Sequence, residues 1–122
     1  MGVWIGGLIT YKAFEIASRR SGLPVSIITP GINKQEIFNA LRNLAPHYAE
    51  TVFVGYPPFL KDVLDEAMAQ GIKLERLRLR IFTAAEAYSE KFREYLVRKV
   101  HASNGLRDTL NIYGSADIGA MA

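Results

Sequence analysis

The chain has 122 residues, of which 49% are hydrophobic and 22% are charged, a balance typical of one compact globular domain with a single core. Its net charge of +3 is mild and does not by itself indicate a nucleic-acid partner, and no run approaches the roughly 20 apolar residues of a membrane span. With no cysteine, a disulfide framework and a thiolate metal site are excluded, and the cytoplasm is the expected compartment.

The first predicted helix and strand precede Thr29-Pro30-Gly31. Apolar residues recur there at helical spacing, and Gly22 with Pro24 ends the helix. The short β-branched run Val25–Ile28 follows and is predicted to be a strand. We expect the apolar stripe of the helix to face the core; it consists of Ile5, Ile9, Ala13, Ile16 and Ala17.

Three further helices are predicted, each from a local start signal. Asn33, with Glu36 three residues later, resembles a capping box. Pro57 and Pro58 suit the first turn of the next helix, and Ser89 can cap the last one. Their expected inward faces are Ile37, Leu41, Leu44 and Ala45; then Leu60, Val63, Leu64, Ala67 and Met68; then Phe92, Tyr95, Leu96 and Val100.

The remaining strands are predicted at Thr51–Val54, Leu77–Ile81 and Thr109–Tyr113. The regular alternation of helix and strand indicates βαβ crossovers and therefore a parallel sheet. We expect an α/β fold with an open, mainly parallel sheet of about four strands and helices on both faces, in a Rossmann-like or flavodoxin-like layering. Residues 1–122 would form a single α/β subdomain.

Loops that follow the carboxyl ends of parallel strands meet at one edge, where ligands bind in open α/β sheets. Here these loops carry hydroxyls, two carboxylates, an aromatic ring and helix N-termini, a combination that suits a nucleotide better than a metal. Gly114 is expected to let the chain reverse after the last strand. The alternative is that they are ordinary connections, because a fold does not supply a function. The loops are Thr29-Pro30-Gly31, Gly55-Tyr56-Pro57, Thr83-Ala84-Ala85-Glu86 and Tyr113 to Asp117.

Three of these regions resemble motifs of adenylate-forming enzymes, in particular phenylacetate-coenzyme A ligases. The segment Tyr113-Gly114-Ser115-Ala116-Asp117 is similar to the Tyr-Gly-x-Ser/Thr-Glu loop of that superfamily. Pro57-Pro58-Phe59-Leu60, continuing to Gly71-Ile72, resembles the helix that follows their Thr-Pro-Ser-Tyr. Leu77 to Phe82 with Ala85-Glu86-Ala87-Tyr88-Ser89 is similar to their Leu-Arg-x-x-Ile-Phe-Gly-Ala-Glu-Pro-Trp-Ser segment, with one extra loop residue.

The resemblance implies a two-step ligase reaction. A carboxylic acid would attack ATP to form an acyl-adenylate, and coenzyme A would then displace AMP to form a thioester. By the same resemblance, Ala84-Ala85-Glu86 would lie against adenine and Tyr113 would stack on it. The loop after Gly114 would reach the phosphate through Ser115 and hold magnesium through Asp117, and Tyr56 would line the acid pocket. Such chemistry depends on charge neutralisation at the phosphate more than on a protein nucleophile.

The chain departs from the family pattern at two positions of the Tyr-Gly loop and also lacks several of the family's motifs. Ala116 replaces the Ser or Thr that precedes the acid, and Asp117 is one methylene shorter than Glu. The family's phosphate loop would precede the first helix, but Gly2–Gly7 contains neither its hydroxyls nor its lysine. The ribose-binding aspartate and the domain with the catalytic lysine would follow the Tyr-Gly loop. We therefore expect a middle fragment of an AMP-binding adenylation core that does not turn over by itself.

Other candidate sites are weaker. His47 and His101 have no metal-ligand spacing, and Ser89 lacks the surroundings of a nucleophile. The row Arg76, Arg78 and Arg80 could contact nucleic acid, but interleaved acidic residues favour a solvated face. We expect neither nucleic acid nor membrane as a partner. The alternative to the ligase is a non-catalytic α/β module that binds a protein or associates with itself as a homodimer.

Overall fold

The computed structural model describes residues 5–84, 89–100, 108–112, 114–115 and 119–120. The helices there are α1 (Ile5–Ser21), α2 (Lys34–Asn43), α3 (Pro57–Ala69) and α4 (Glu90–Lys99). The strands are β1 (Thr51–Gly55), β2 (Leu79–Thr83), β3 (Thr109–Asn111), β4 (Gly114–Ser115) and β5 (Gly119–Ala120). Single 3-10 turns occupy Ala45–His47 and Leu74–Arg76.

The main sheet is open and parallel, with the order β1-β2-β3. Helix α3 connects β1 to β2 and α4 lies between β2 and β3 in sequence, so the predicted βαβ pattern and the α/β fold class are confirmed. The described sheet has three strands rather than about four. The two-residue strands β4 and β5 pair with each other in a separate antiparallel ribbon.

The prediction of a strand at Val25–Ile28 is wrong. Residues 24–30 form no regular secondary structure, and Val25 and Ile28 are each half exposed. The segment is held instead by a hydrogen bond of 2.5 Å between the hydroxyls of Ser26 and Tyr48. A β-branched run forms a strand only where it fits a pleated, half-buried surface, and no described strand pairs with this one.

The hydrophobic core lies between one face of the sheet and the helices α2, α3 and α4. Strand β2 alternates as predicted, with Leu79, Ile81 and Thr83 buried and Arg80 exposed. Most expected inward positions belong to the core, together with Phe38, which the pattern did not include. Leu44 and Met68 were expected inside but are exposed. The largest fully buried side chains are Phe38, Leu60, Leu64, Leu74, Ile81, Leu96, Val63 and Thr83.

Strand β2 begins two residues later than predicted. The chain makes a 3-10 turn at Leu74–Arg76, and Arg78 has a φ of 45° before the strand starts at Leu79. A positive φ is uncommon for a residue with a Cβ, and it interrupts extended backbone. The alternating arginines were therefore only partly a strand signal, because Arg80 alone among the three lies in β2.

Helix α1 contacts the opposite face of the sheet through Phe14, which is not on the predicted stripe. The ring of Phe14 meets the ring of Phe82 edge-on, with 5.4 Å between centroids. Ile9 and Ile16, which were expected to face the core, are about half exposed. An apolar stripe shows that a helix is amphipathic but does not say which surface covers it. None of residues 8–32 belongs to the buried core.

Candidate functional site at the carboxyl edge of the sheet

The three parallel strands end level with one another. Gly55 pairs with Thr83, and Thr83 pairs with Asn111, so all three lie in one row across the sheet. We call this row and the residues that follow it the carboxyl edge. Two backbone bonds close it, from Ala84 N to the Gly55 carbonyl oxygen at 3.3 Å and from Ile112 N to the Thr83 carbonyl oxygen at 2.9 Å. The loops after β1, β2 and β3 therefore start beside one another.

Tyr56 lies at this edge because of the turn into α3. A Cβ on Gly55 would lie 3.0 Å from Leu60 Cδ2, so a larger residue there would require the Leu60 side chain to shift. Tyr56 is extended and is followed by Pro57 in the first turn of α3. Its ring stacks on Phe59 with 5.9 Å between centroids, and the residue is 47% exposed. The predicted pocket residue is thus an ordered, accessible aromatic ring.

A buried hydroxyl joins β2 to β3 at the same edge. Thr83 is fully buried, and its Oγ1 lies 3.0 Å from Asn111 Oδ1 and 3.3 Å from the Leu110 carbonyl oxygen. Asn111 itself is exposed, and its amide group retains donors of its own. Sequence reasoning treated Asn111 only as the end of an apolar run. A polar amide at the end of a predicted parallel strand was the signal that could have identified it.

Arg93 of α4 holds the other end of β3. Its Nε donates to Thr109 Oγ1 at 2.6 Å, and its Nη2 donates to the Thr109 carbonyl oxygen at 3.4 Å. Nη1 also lies 3.4 Å from Glu90 Oε1 on the preceding helical turn. Thr109 is almost completely buried. Sequence reasoning did not single out Arg93 for any role of this kind, because the pairing of a helix side chain with a distant strand leaves no local pattern.

The structure tests only part of the predicted nucleotide site. Tyr56 and Ala84 both lie at the carboxyl edge, after neighbouring strands. Ala85, Glu86, Tyr113 and Asp117 lie outside the described residues. Gly114 and Ser115 form β4, which pairs with Gly119 and Ala120.

Among the described residues, the carboxyl group whose pKa is lowered most lies away from this edge, between α3 and α4. Asp65 accepts a hydrogen bond from the Tyr95 hydroxyl at 2.5 Å and also contacts Lys61 at 2.8 Å and Lys99 at 3.2 Å. Both ammonium groups lie 5.3 Å from the centroid of the Tyr95 ring. Burial raises the pKa of Asp65, but the hydrogen bonds from Lys61, Tyr95 and Lys99 together lower it to about 2. The cluster joins two helices and keeps the carboxylate charged.

The arginine row and the histidines were the other candidate sites in the sequence. Arg80 is bound by two carboxylates, Glu50 at 2.9 Å and Asp108 at 3.7 Å. His47 is exposed, and His101 lies outside the described ranges. Within those ranges, no three His, Cys, Asp or Glu side chains are grouped so that they could hold a metal ion. None of the described helices has the length and apolar character to cross a membrane.

Comparison with known proteins adds no assignment. No protein-family model matches the chain, and no curated protein matches it. The case for a function therefore depends on the order of the motifs along the sequence and on the arrangement of the carboxyl edge.

Proposed function

We propose that the chain is part of the AMP-binding core of a carboxylate-coenzyme A ligase of the phenylacetate-coenzyme A ligase type. The observation that supports this most directly is that β2 and β3 are parallel neighbours ending in the same row, with Thr83 beside Asn111. The Ala84-Ala85-Glu86 segment and the Tyr113-to-Asp117 segment follow these two strands. One nucleotide at the carboxyl edge could therefore contact both segments, as the motif resemblance requires.

In this proposal each residue keeps the role that the resemblance implies. Ala84-Ala85-Glu86 and Tyr113 bind adenine, and Ser115 donates to the phosphate. Asp117 contributes to magnesium binding; one carboxylate together with nucleotide phosphates is a donor set that this ion uses. Bound magnesium would neutralise charge on the phosphates during adenylation. Tyr56 forms part of the wall for the carboxylic acid, and its exposed ring at the carboxyl edge is suited to that contact.

Binding of AMP tests the proposal without requiring turnover. We expect AMP, titrated into the 122-residue chain, to shift the backbone NMR signals of Glu86, Tyr113 and Ser115. Tyr113→Ala should weaken these shifts because the adenine loses its stacking partner. Tyr48→Ala is the matched control, since Tyr48 precedes β1 and lies away from the carboxyl edge. Shifts at none of the three residues at saturating AMP would refute the proposed site.

The isolated chain is expected to bind nucleotide without completing the reaction. Incubation with ATP, magnesium and aryl or fatty acids should release no pyrophosphate above the level of a buffer control, since the lysines and the phosphate loop of the family have no counterpart in this sequence. Robust pyrophosphate release would contradict the assignment to a core fragment. We propose a cytoplasmic setting for the parent enzyme, where ATP and coenzyme A are available and where a chain without cysteine needs no oxidising compartment.

A second candidate function is a non-catalytic module that forms a homodimer. It is favoured by the exposed large apolar side chains of residues 8–32, since such surface often marks an interaction site. Light scattering across a concentration series would show a rise toward twice the 13.6 kDa chain mass if the module self-associates. A mass that does not change with concentration would reject the homodimer, and AMP binding in the same chain would favour the ligase proposal. The exposed side chains are Leu8, Ile9, Ile16, Leu23, Val25, Ile28 and Ile32.

A further inference from the structure

Polar side-chain contacts attach the short strand β3 to β2 and to α4. Its register with β2 covers three residue pairs, Ile81 with Thr109, Phe82 with Leu110 and Thr83 with Asn111. Among the described residues, the only buried polar or charged side chains are Thr83 and Thr109, and both contact β3 or belong to it. The remainder of the described core is apolar. Buried polar groups are therefore concentrated at the attachment of this one strand.

Both buried hydroxyl groups make contacts that depend on the register between β2 and β3. Arg93 reaches the hydroxyl and the carbonyl oxygen of Thr109, and Thr83 reaches Asn111. A slip of β3 by one residue would place Leu110 opposite Arg93 and turn Thr109 toward the other face. The guanidinium group and the Thr83 hydroxyl would both lose acceptors inside the protein. Breaking these contacts costs free energy, so they favour the observed register.

The register of β3 decides where the following residues lie. A slip of one position moves the chain by about 3.3 Å along the strand. Binding groups must be held to within about 0.5 Å of their productive geometry. Apolar contacts alone would not fix a strand of three residues to this precision, because they are not directional. The two polar contacts supply a directional constraint immediately before the Tyr-Gly segment.

We propose that Arg93 and Thr83 are positioning residues for the proposed nucleotide site: they fix the register of β3 and thereby the position of Asn111 and Ile112, from which the chain continues into the Tyr-Gly segment. Neither residue contacts the nucleotide in this scheme. The inference rests on the proposed AMP site for its functional consequence, but its structural part, the register of β3, is measurable without a nucleotide.

Hydrogen exchange in the full chain provides that measurement. The Ile112 amide donates to the Thr83 carbonyl oxygen and reports on β3, whereas the Leu60 amide donates to the Tyr56 carbonyl oxygen in α3 and reports on the core. Arg93→Met should reduce the protection of Ile112 by about tenfold or more, since hydrogen bonds to a charged donor are lost. Protection of Leu60 should change much less. Thr83→Val should act in the same direction, and Arg93→Lys should restore part of the protection because one donor can still reach Thr109.

Arg98→Met is the matched control, because Arg98 lies on the same helix but is exposed. If Arg93→Met lowers the protection of Ile112 and Leu60 equally, Arg93 supports the whole fold and the positioning role is overturned. The AMP titration is then repeated on each variant. Parallel losses of Ile112 protection and AMP affinity support the proposal; unchanged AMP affinity in Arg93→Met overturns it. A wild-type chain that binds no AMP refutes the proposed function, while the exchange data still decide the register.

Discussion

Replacement of Asp65 by Asn should destabilise the protein in a pH-dependent manner. Asp65 receives hydrogen bonds from Tyr95 and from two lysines, and its pKa falls from an ordinary 3.8 to about 2. A difference of that size corresponds to roughly 2.5 kcal/mol of preference for the charged form in the folded state. The side chain is 32% exposed, so water screens part of this interaction. We therefore expect Asp65→Asn to lower the free energy of unfolding by about 1 to 1.5 kcal/mol at neutral pH.

The sign of the pH dependence follows from the direction of the pKa shift. A carboxyl group with a depressed pKa in the folded state contributes its full stabilisation above its unfolded pKa, here 3.8, and loses it as the pH falls through about 2. The difference between wild type and Asp65→Asn should therefore be largest at neutral pH and should vanish near pH 2. Urea denaturation followed by circular dichroism at several pH values measures the difference directly, and other acids cancel because both proteins contain them.

Asp62→Asn is the matched control on the same helix. Asp62 also contacts a lysine, Lys34, at 2.6 Å, but its side chain is 63% exposed. An exposed pair of this kind contributes about 0 to 1 kcal/mol, so the control should lower the free energy of unfolding less than Asp65→Asn does. Equal stability of wild type and Asp65→Asn at neutral pH, or a difference that does not change with pH, would refute the electrostatic explanation.

Three further substitutions test the fold. Gly55→Ala should destabilise by about 1 kcal/mol, since the new methyl group meets Leu60 at 3.0 Å, and this cost should shrink in a Leu60→Ala background if the clash is its cause. Phe14→Ala should reduce helical circular dichroism by detaching α1 while leaving exchange protection in the sheet unchanged, whereas Ile16→Ala, at a 50% exposed position, should do neither. Leu96→Ala, at a fully buried position, should cost about 2 to 5 kcal/mol in urea denaturation, and a cost below about 1 kcal/mol would contradict the assigned core.

Helix starts could be predicted because the information lies within four residues. The side chains of Asn33 and Ser89 accept from the backbone N-H groups of Glu36 and Phe92, at 3.2 Å and 3.3 Å, as the capping patterns indicate. The donor and the acceptor of such a bond are close in sequence, so tertiary context has little effect on where the helix begins. The start of α3 at Pro57 follows the same logic, because its fixed φ suits a first turn.

Two predictions failed because the expected partner surface is not there among the described residues. Val25–Ile28 has the composition of a strand, and the stripe of α1 has the period of a buried face, yet Ile28 and Ile16 are each 50% exposed. Composition and period describe one surface only; whether another surface covers it depends on residues distant in sequence. In contrast, Leu79 and Ile81 were predicted correctly because α3 and α4 flank β2 in sequence and cover the same face.

The candidate site, too, could be predicted only in part from the sequence. That loops after parallel strands meet at one edge follows from topology alone, so the grouping of Tyr56 with Ala84 could be predicted from alternating helices and strands. Which side chains that edge presents depends on register, which is set by contacts such as Arg93 with Thr109, 16 positions apart in sequence. Thr83 illustrates the difference: it was predicted to begin the loop after β2 but is the last residue of that strand. Its bond to Asn111 requires the two strands to end level. The sequence alone therefore predicts where the carboxyl edge lies. The residues that hold its strands in register are identified only from the strand pairing in the structure.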